Sequence, residues 1–145
     1  MTDLTETDSA APARAGVRVM VVDDSNTIRR SAEIFLKQGG HEVVLAEDGF
    51  DALSKVTDLC PDLIFCDILM PRLDGYQTCA IIKRNPAFQH VPVIMLSSKD
   101  GLFDKARGRM VGSSAYLTKP FTKDQLLGAV QAHRPAPAAD AEVSP

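Results

Sequence analysis

The sequence predicts an α/β protein with one open, doubly wound parallel β-sheet. Between residues 17 and 133, five short apolar segments alternate with five segments of helical periodicity. Several of the apolar segments are continuously rich in Val and Ile, as expected for strands that helices cover on both faces. A chain of 145 residues is long enough for one domain with a sizeable core. These three observations together favour a single α/β domain.

The apolar segments predict strands of four to six residues at positions 17–22, 42–46, 62–66, 92–96 and 115–118. The first predicted helix has apolar residues at helical spacing from Ile28 to Leu36 and ends at Gly39-Gly40. The remaining helices are predicted at about 49–58, 75–83, 102–110 and 123–132. Each strand is therefore followed by a helix.

The charge distribution disfavours two classes of function. The formal net charge is -3, and residues 17–133 carry 14 basic and 14 acidic side chains. No basic stripe marks a nucleic-acid surface. No apolar stretch approaches the roughly 20 residues that span a bilayer, and residues 1–16 lack the pattern of a secretory signal. We expect a cytoplasmic protein that has no membrane span and binds no nucleic acid.

The two ends of the chain differ in composition from its centre. Residues 1–16 and 134–145 are rich in Ala, Pro and acidic side chains and poor in large apolar ones. Ordering such segments costs more conformational entropy than burial returns. We predict disordered tails on a domain that spans residues 17–133, with no effector domain after residue 133.

Cysteine and histidine form no metal-binding or redox motif. Cys60, Cys66 and Cys79 are odd in number and lack C-x-x-C spacing, so we expect them to pack as small apolar residues. The three histidines are dispersed along the chain. Zinc binding and imidazole-based catalysis are both disfavoured.

Acidic side chains follow two of the predicted strands. Asp23 and Asp24 come directly after the first strand, and Asp67 comes after the third. In an open parallel sheet these carboxylates meet at the carboxyl edge, which is where such sheets bind ligands. Grouping like charges is unfavourable and predicts a bound cation. Ser97 and Lys119 end the fourth and fifth strands and belong to the same edge.

Taken singly, each of these residues has an ordinary structural interpretation. A strand-end Asp is often a cap, Asp74-Gly75 is a helix start, and Lys119 alone is a surface charge. Tyr116 alone is a half-buried aromatic residue, and the basic residues of segment 99–109 form a solvated helix face. The joint placement at successive strand ends is what indicates a functional site.

Four segments at these strand ends resemble the receiver domain of bacterial two-component response regulators. They are V-V-D-D-S, D-I-L-M-P-R-L-D-G-Y, V-I-M-L-S-S and Y-L-T-K-P-F, and the resemblance covers residues 17–133. It implies a flavodoxin-like (CheY-like) sheet with strand order 2-1-3-4-5 and five helices. Further segments, such as S-N-T-I-R-R-S-A-E and D-G-F-D-A-L, resemble the stand-alone regulators of type IV pilus twitching motility.

The resemblance assigns roles to the acidic residues. Asp67 resembles the phosphoacceptor, a carboxylate that attacks phosphorus and forms an acyl phosphate. Asp24, Asp67 and the backbone carbonyl of Leu69 resemble the direct Mg²⁺ ligands, and Asp23 resembles a carboxylate that acts through metal-bound water. Hard oxygen ligands with retained waters suit Mg²⁺. The resemblance therefore implies Mg²⁺ as the cofactor.

The resemblance also implies a switch. Lys119 would contact the phosphoryl oxygens, Ser97 would donate a hydrogen bond to another of them, and Pro120 resembles the cis-proline that orients this lysine. Tyr116 resembles the aromatic residue that turns inward when Ser97 moves. The surface formed by the fourth helix, fifth strand and fifth helix would then carry the signal to a partner protein.

Two residues near the site vary among receivers. Leu69, two residues after Asp67, and Lys99, two after Ser97, should border the path of attacking water. We predict that the apolar Leu69 restricts this water and prolongs the phosphorylated state.

Other chemistries fit the sequence less well. A haloacid-dehalogenase-type phosphatase would show D-x-D-x-T after its first strand, and an FMN-binding flavodoxin would show a glycine- and hydroxyl-rich phosphate loop. This chain instead has Asp23-Asp24-Ser25. We predict a stand-alone phosphoacceptor protein that a CheA-like histidine kinase phosphorylates, and not a conventional turnover enzyme. The alternatives are an adaptor with a receiver fold that accepts no phosphate, and a chemotaxis-type regulator of another output.

Overall fold

The computed structural model describes residues 16–98 and 103–135, in which strands and helices alternate. The strands are β1 (Arg18–Val22), β2 (Glu42–Ala46), β3 (Leu63–Asp67), β4 (Val93–Ser98) and β5 (Ala115–Lys119). The helices are α1 (Asn26–Gln38), α2 (Gly49–Leu59), α3 (Gly75–Arg84), α4 (Lys105–Val111) and α5 (Lys123–His133). All predicted strands and helices are present, with boundaries that differ by at most three residues.

The five strands form one sheet in the order β2-β1-β3-β4-β5, and every neighbouring pair is parallel. The flavodoxin-like topology is therefore confirmed. After β1 the chain moves to one side of that strand, to β2. After β3, on the other side of β1, it continues in the opposite direction, to β4. That reversal leaves a crevice at the carboxyl ends of β1 and β3.

The sheet separates two hydrophobic cores. Along β3, Ile64 and Cys66 face one core, whereas Leu63 and Phe65 face the other. Helices α2, α3 and α4 contribute to the first core, and α1 and α5 contribute to the second. Each large apolar side chain that is fully buried stabilises the fold by about 2 kcal/mol. This two-sided packing explains why the central strands read as continuous apolar runs.

The edge strand β5 is an exception to this pattern. Its residues alternate between half-buried and exposed, and Tyr116 keeps 43% of its surface accessible. An edge strand has a neighbour on one side only, so part of its surface meets solvent. Tyr116 therefore lies on the outside of the domain.

One prediction about the cysteines is wrong. Cys66 and Cys79 are buried as expected, but Cys60 is exposed. Cys60 ends α2 in a left-handed conformation with φ 47°, at the surface, because the chain must turn there into β3. The predicted disordered tails fall almost entirely outside the described residues, and Lys99 also lies outside them.

None of the helices within residues 16–98 and 103–135 combines the length and apolar character that a membrane crossing requires.

Candidate functional site

Three carboxylates meet at the carboxyl edge of the sheet, as predicted. Asp23 and Asp24 follow β1, and Asp67 is the last residue of the neighbouring strand β3. One oxygen from each carboxylate lies within 4.8 Å of the others. Asp23 and Asp67 are buried, whereas Asp24 is exposed. Two carboxylates of the cluster are therefore shielded from solvent, and the third lies at the surface.

The loop after β1 is held by its own polar groups. The backbone N–H of Asp23 donates to the carbonyl of Ala46 (3.1 Å), and that of Ser25 donates to Asp23 Oδ1 (2.8 Å). Ser25 then caps α1, since its Oγ accepts from the N–H of Ile28. The Arg29 guanidinium donates to the carbonyl of Asp23. These bonds fix the direction in which Asp23 and Asp24 leave the sheet.

Lys119 reaches this cluster from the end of β5. Its Nζ lies 3.0 Å from Asp67 Oδ1 and 3.1 Å from Asp23 Oδ2, and it donates a hydrogen bond to each. The lysine side chain is 15% exposed, so all three groups are largely shielded from water. The Lys119–Pro120 peptide bond is cis, as the sequence resemblance implies. The lysine ammonium thus bridges the two buried carboxylates.

The balance of charge at the site is negative. Burial, followed by repulsion from Asp23, raises the pKa of Asp67 to about 6 even though Lys119 acts in the opposite direction. Burial alone would lower the pKa of Lys119, but its hydrogen bond with Asp67 and the charge of Asp23 outweigh burial and raise it. One ammonium therefore does not neutralise three carboxylates.

The donor set fits a hard divalent cation. Three carboxylate oxygens, one each from Asp23, Asp24 and Asp67, lie within 4.8 Å of one another. Asp24 is exposed, so water can supply further ligands on that side. Burial and the repulsion from Asp23 both raise the pKa of Asp67, and a bound cation would oppose both effects. These residues could together hold Mg²⁺. The role of the Leu69 carbonyl as a ligand stays a prediction.

The other predicted site residues include Ser97, Tyr116 and Leu69. Ser97 is buried near the end of β4, next to the strand position that pairs with Asp67, and its Oγ contacts the carbonyl of Ser98 at 3.3 Å. Its hydroxyl is therefore directed at its own strand. Tyr116 points outward on β5, and the side chain of Leu69 is 72% exposed.

Two residues that hold the site were not recognised as such from the sequence. Arg29 supports the turn after β1, but an arginine in the first turn of a helix carries no special pattern. Gly75 was predicted to be a helix start, and Asp74 does cap α3 with a capping box. Gly75 has a second role, because a Cβ there would overlap the carbonyl oxygen of Asp67. The glycine lets α3 begin directly against the end of β3, where Asp67 lies.

This fold and this site define a receiver domain of the kind found in two-component signalling. The response regulator receiver domain family matches residues 19–131, and the chain belongs to that family. Within it, the chain is 67% identical over 121 residues to the protein PilG of Pseudomonas aeruginosa, an alignment that covers 83% of this chain and 90% of PilG.

Two further relatives are more distant. The chemotaxis protein CheY4 of Vibrio cholerae has a structure that matches with a TM-score of 0.78 and 32% identity, over 82% of this chain and 99% of that one. The gliding motility regulatory protein of Myxococcus xanthus is 43% identical over 109 residues, which are 75% of this chain but 14% of that protein. The chain is thus similar both to a short chemotaxis protein and to one segment of a much longer regulator.

Proposed function

We propose that this chain is a phosphorylation-controlled switch in which Asp67 accepts a phosphoryl group from a CheA-like histidine kinase. The observation that carries the proposal is the position of Lys119, whose Nζ lies within 3.1 Å of both Asp67 and Asp23. A lysine in that position can pair with the carboxylate of Asp67 before phosphorylation and with the phosphoryl oxygens afterwards. Membership of the receiver family supports the same chemistry.

Asp67 is the nucleophile in this proposal. One carboxylate oxygen attacks phosphorus, the bond between phosphorus and the histidine nitrogen of the kinase breaks, and an acyl phosphate forms. With its pKa raised to about 6, Asp67 is mostly ionised at pH 7.5 and remains a competent nucleophile. Lys119 then donates to the phosphoryl oxygens, and Ser97 rotates away from its own strand to donate to another oxygen.

Asp23, Asp24 and Asp67 would hold Mg²⁺, with the Leu69 carbonyl as a further ligand. When bound, the ion would neutralise negative charge on the transferring phosphoryl group, where electrostatic stabilisation supplies most of the catalysis. Two further residues position the carboxylates. Arg29 holds the turn at Asp23, and Gly75 allows α3 to approach Asp67. Pro120 orients the backbone that carries Lys119.

We further propose that the signal leaves by protein contact, in the cytoplasm, through the surface formed by α4, β5 and α5. Tyr116 lies on this surface and would turn inward when Ser97 moves. The process that the switch controls would be type IV pilus twitching motility, through the pilus motor or through cyclic-nucleotide signalling. The extent of identity with PilG supports that assignment.

Labelling with a small phosphodonor tests the proposal. Wild type and the Asp67→Asn variant are incubated with acetyl phosphate and Mg²⁺, and their intact masses are measured. We expect one phosphoryl group on the wild type and none on the variant. Equal labelling of both proteins would show that Asp67 is not the phosphoacceptor. Labelling of neither would favour the adaptor that accepts no phosphate, and a pull-down with and without beryllofluoride would then show whether partner binding depends on the site.

The exposed side chain of Leu69 gives a second test of the same site. We expect the Leu69→Asn variant to lose its phosphoryl group faster than wild type, because a polar side chain there would help to position attacking water. The acyl-phosphate half-life is measured by intact mass after removal of acetyl phosphate. An unchanged half-life would contradict the idea that Leu69 restricts water.

A further inference from the structure

Three aromatic side chains form a continuous stack beside the carboxylate site. Tyr76 comes from the first turn of α3, Phe103 precedes α4, and Tyr116 lies on β5. The rings of Tyr76 and Phe103 are 6.1 Å apart with an interplanar angle of 16°, and those of Phe103 and Tyr116 are 4.5 Å apart at 26°. This aromatic stack therefore joins α3, the segment before α4, and β5.

Polar contacts attach the aromatic stack to the starts of two helices. The backbone N–H of Asp104 donates to the hydroxyl oxygen of Tyr76 (2.9 Å), and Asp104 itself caps α4. The Arg107 guanidinium lies 4.3 Å from the centre of the Tyr76 ring and 3.7 Å from the carboxylate of Asp74, which caps α3. Tyr76 and Arg107 thus tie the first turn of α4 to the first turn of α3.

Phe103 also has a fitted position against α4. A Cβ at residue 108 would lie 2.7 Å from Phe103 Cζ, so the ring occupies space that a side chain at that position would fill. Glycine is unfavourable in the interior of a helix. Its presence in the middle of α4 is explained by the ring that packs there. Phe103 is therefore held by Gly108, Tyr76 and Tyr116 together.

Tyr116 makes two contacts in its outward position. Its ring stacks on Phe103, and Lys105 Nζ lies 5.7 Å from the ring centre on the same surface. If Tyr116 turned inward, both contacts would be lost. These contacts therefore lower the free energy of the outward state relative to the inward state, and they raise the barrier to leaving it.

The aromatic stack is connected to the phosphoacceptor through the start of α3. Gly75 donates its N–H to the carbonyl of Ile68 (2.9 Å), directly after Asp67, and Tyr76 is the next residue. A shift of the backbone at Asp67 would therefore displace Tyr76, because the hydrogen bond between Gly75 and Ile68 connects the two. From Tyr76 the shift would reach α4 through the N–H of Asp104.

We propose that the aromatic stack is a latch that holds Tyr116 outward and α4 in place until Asp67 is phosphorylated, with Tyr76 and Phe103 as positioning residues. This inference rests on the proposed function. Because the latch contacts exist in the unphosphorylated state, weakening them shifts the population toward the phosphorylated conformation. A phosphoryl mimic then binds more tightly by the same factor.

Two substitutions weaken the latch at different points. Tyr76→Phe keeps the ring and removes the acceptor for the N–H of Asp104, whereas Phe103→Leu keeps an apolar side chain and removes both stacked pairs. The matched control is Phe35→Leu, which breaks the edge-on contact between Phe35 and Phe121 in the other core. All three variants lose a stabilising contact, so a drop in melting temperature alone does not separate them.

Binding of beryllofluoride in the presence of Mg²⁺, measured by isothermal titration calorimetry, separates a latch from a packing role. We expect Tyr76→Phe and Phe103→Leu to bind about threefold to tenfold more tightly than wild type, and Phe35→Leu to bind equally or less tightly. Unchanged or weaker binding by both latch variants would overturn the latch while leaving the proposed function intact. A wild type that binds no beryllofluoride would refute both.

The sequence supplies an optical check in the unphosphorylated protein. The chain has two tyrosines, Tyr76 and Tyr116, and no tryptophan, so tyrosine emission reports on the aromatic stack alone. We expect Phe103→Leu to change this emission in the absence of any phosphoryl mimic, in the same direction as beryllofluoride changes it in the wild type. Opposite directions would contradict the latch.

Discussion

The two ends of the β-sheet use charged side chains in different ways. At the amino end, Asp62 Oδ2 accepts from the backbone N–H of Arg18 (2.8 Å), the Arg18 guanidinium lies 3.1 Å from Glu42, and His41 Nδ1 accepts from the N–H of Val17 (3.2 Å). Asp62, Arg18 and His41 thus each lie against a group of complementary character. At the carboxyl end, three carboxylates lie together, and Lys119 bridges the two buried ones, Asp23 and Asp67.

This difference separates charges that stabilise the fold from charges that the proposed function requires. A carboxylate that accepts a backbone N–H stabilises the folded state modestly. Buried carboxylates that repel one another lower stability until a cation or a proton arrives. The amino end should therefore respond to substitution as ordinary structure does, and the carboxyl end should often respond with increased stability when charge is removed.

The largest effect should come from the steric fit at the carboxyl end. In the Gly75→Ala variant a Cβ would overlap the carbonyl oxygen of Asp67, so we expect a loss of about 3 kcal/mol in the free energy of unfolding. Gly128→Ala is the matched control, because nothing lies within 4 Å of a Cβ there and α5 should gain up to about 1 kcal/mol. Urea unfolding measures both, and equal effects would contradict the close fit at Gly75.

A divalent cation should remove part of the difference between the two ends. At a Mg²⁺ concentration one hundred times its Kd, we expect about 2.7 kcal/mol of added stability in the wild type. The Asp24→Asn variant, which changes the exposed ligand, should need more Mg²⁺ for the same gain. Thermal unfolding across a Mg²⁺ titration measures this. Asp62→Asn at the amino end is the control, and an altered Mg²⁺ requirement in it would show that the effect is not local.

Removing the charge of Asp67 should stabilise the protein. Its pKa is about 6 in the folded state against an ordinary 3.8, so the ionised carboxylate lowers stability above pH 6, and stability returns as pH falls from 6 toward 3.8. We expect Asp67→Asn to be about 2 kcal/mol more stable than wild type at pH 8 without Mg²⁺. The advantage should shrink at pH 5. Urea unfolding at both values tests this, and a less stable variant at pH 8 would mean that the bond with Lys119 outweighs the repulsion.

Much of this contrast could be predicted from the sequence. Continuous apolar runs followed by Asp23, Asp24 and Asp67 are local patterns, and the parallel sheet brings them together. The aromatic stack could not be predicted in the same way. Tyr76 and Tyr116 are 40 positions apart, and their connection depends on how Phe103 packs against Gly108. Cys60 was mispredicted for a related reason, since a left-handed helix end places it at the surface.

The smallest predicted effect concerns His41 at the amino end. Burial, followed by the charge of Arg134, lowers the pKa of His41 from its ordinary 6.5, so the unfolded chain takes up a proton at a higher pH than the folded one. Stability should be unaffected by this group above pH 6.5 and should fall as pH drops below that value. Protonation would also remove the acceptor for the N–H of Val17.

Asp67 titrates in the same range with the opposite sign, so the two effects partly cancel in the wild type. The measurement therefore compares Asp67→Asn with the double variant Asp67→Asn, His41→Leu, by urea unfolding between pH 7.5 and 5. The double variant should be less stable at pH 7.5, because it lacks the acceptor for Val17, and should lose less stability on acidification. Equal slopes in the two proteins would show that His41 carries no proton-linked stability. The contrast between the two ends would then rest on the carboxylates alone.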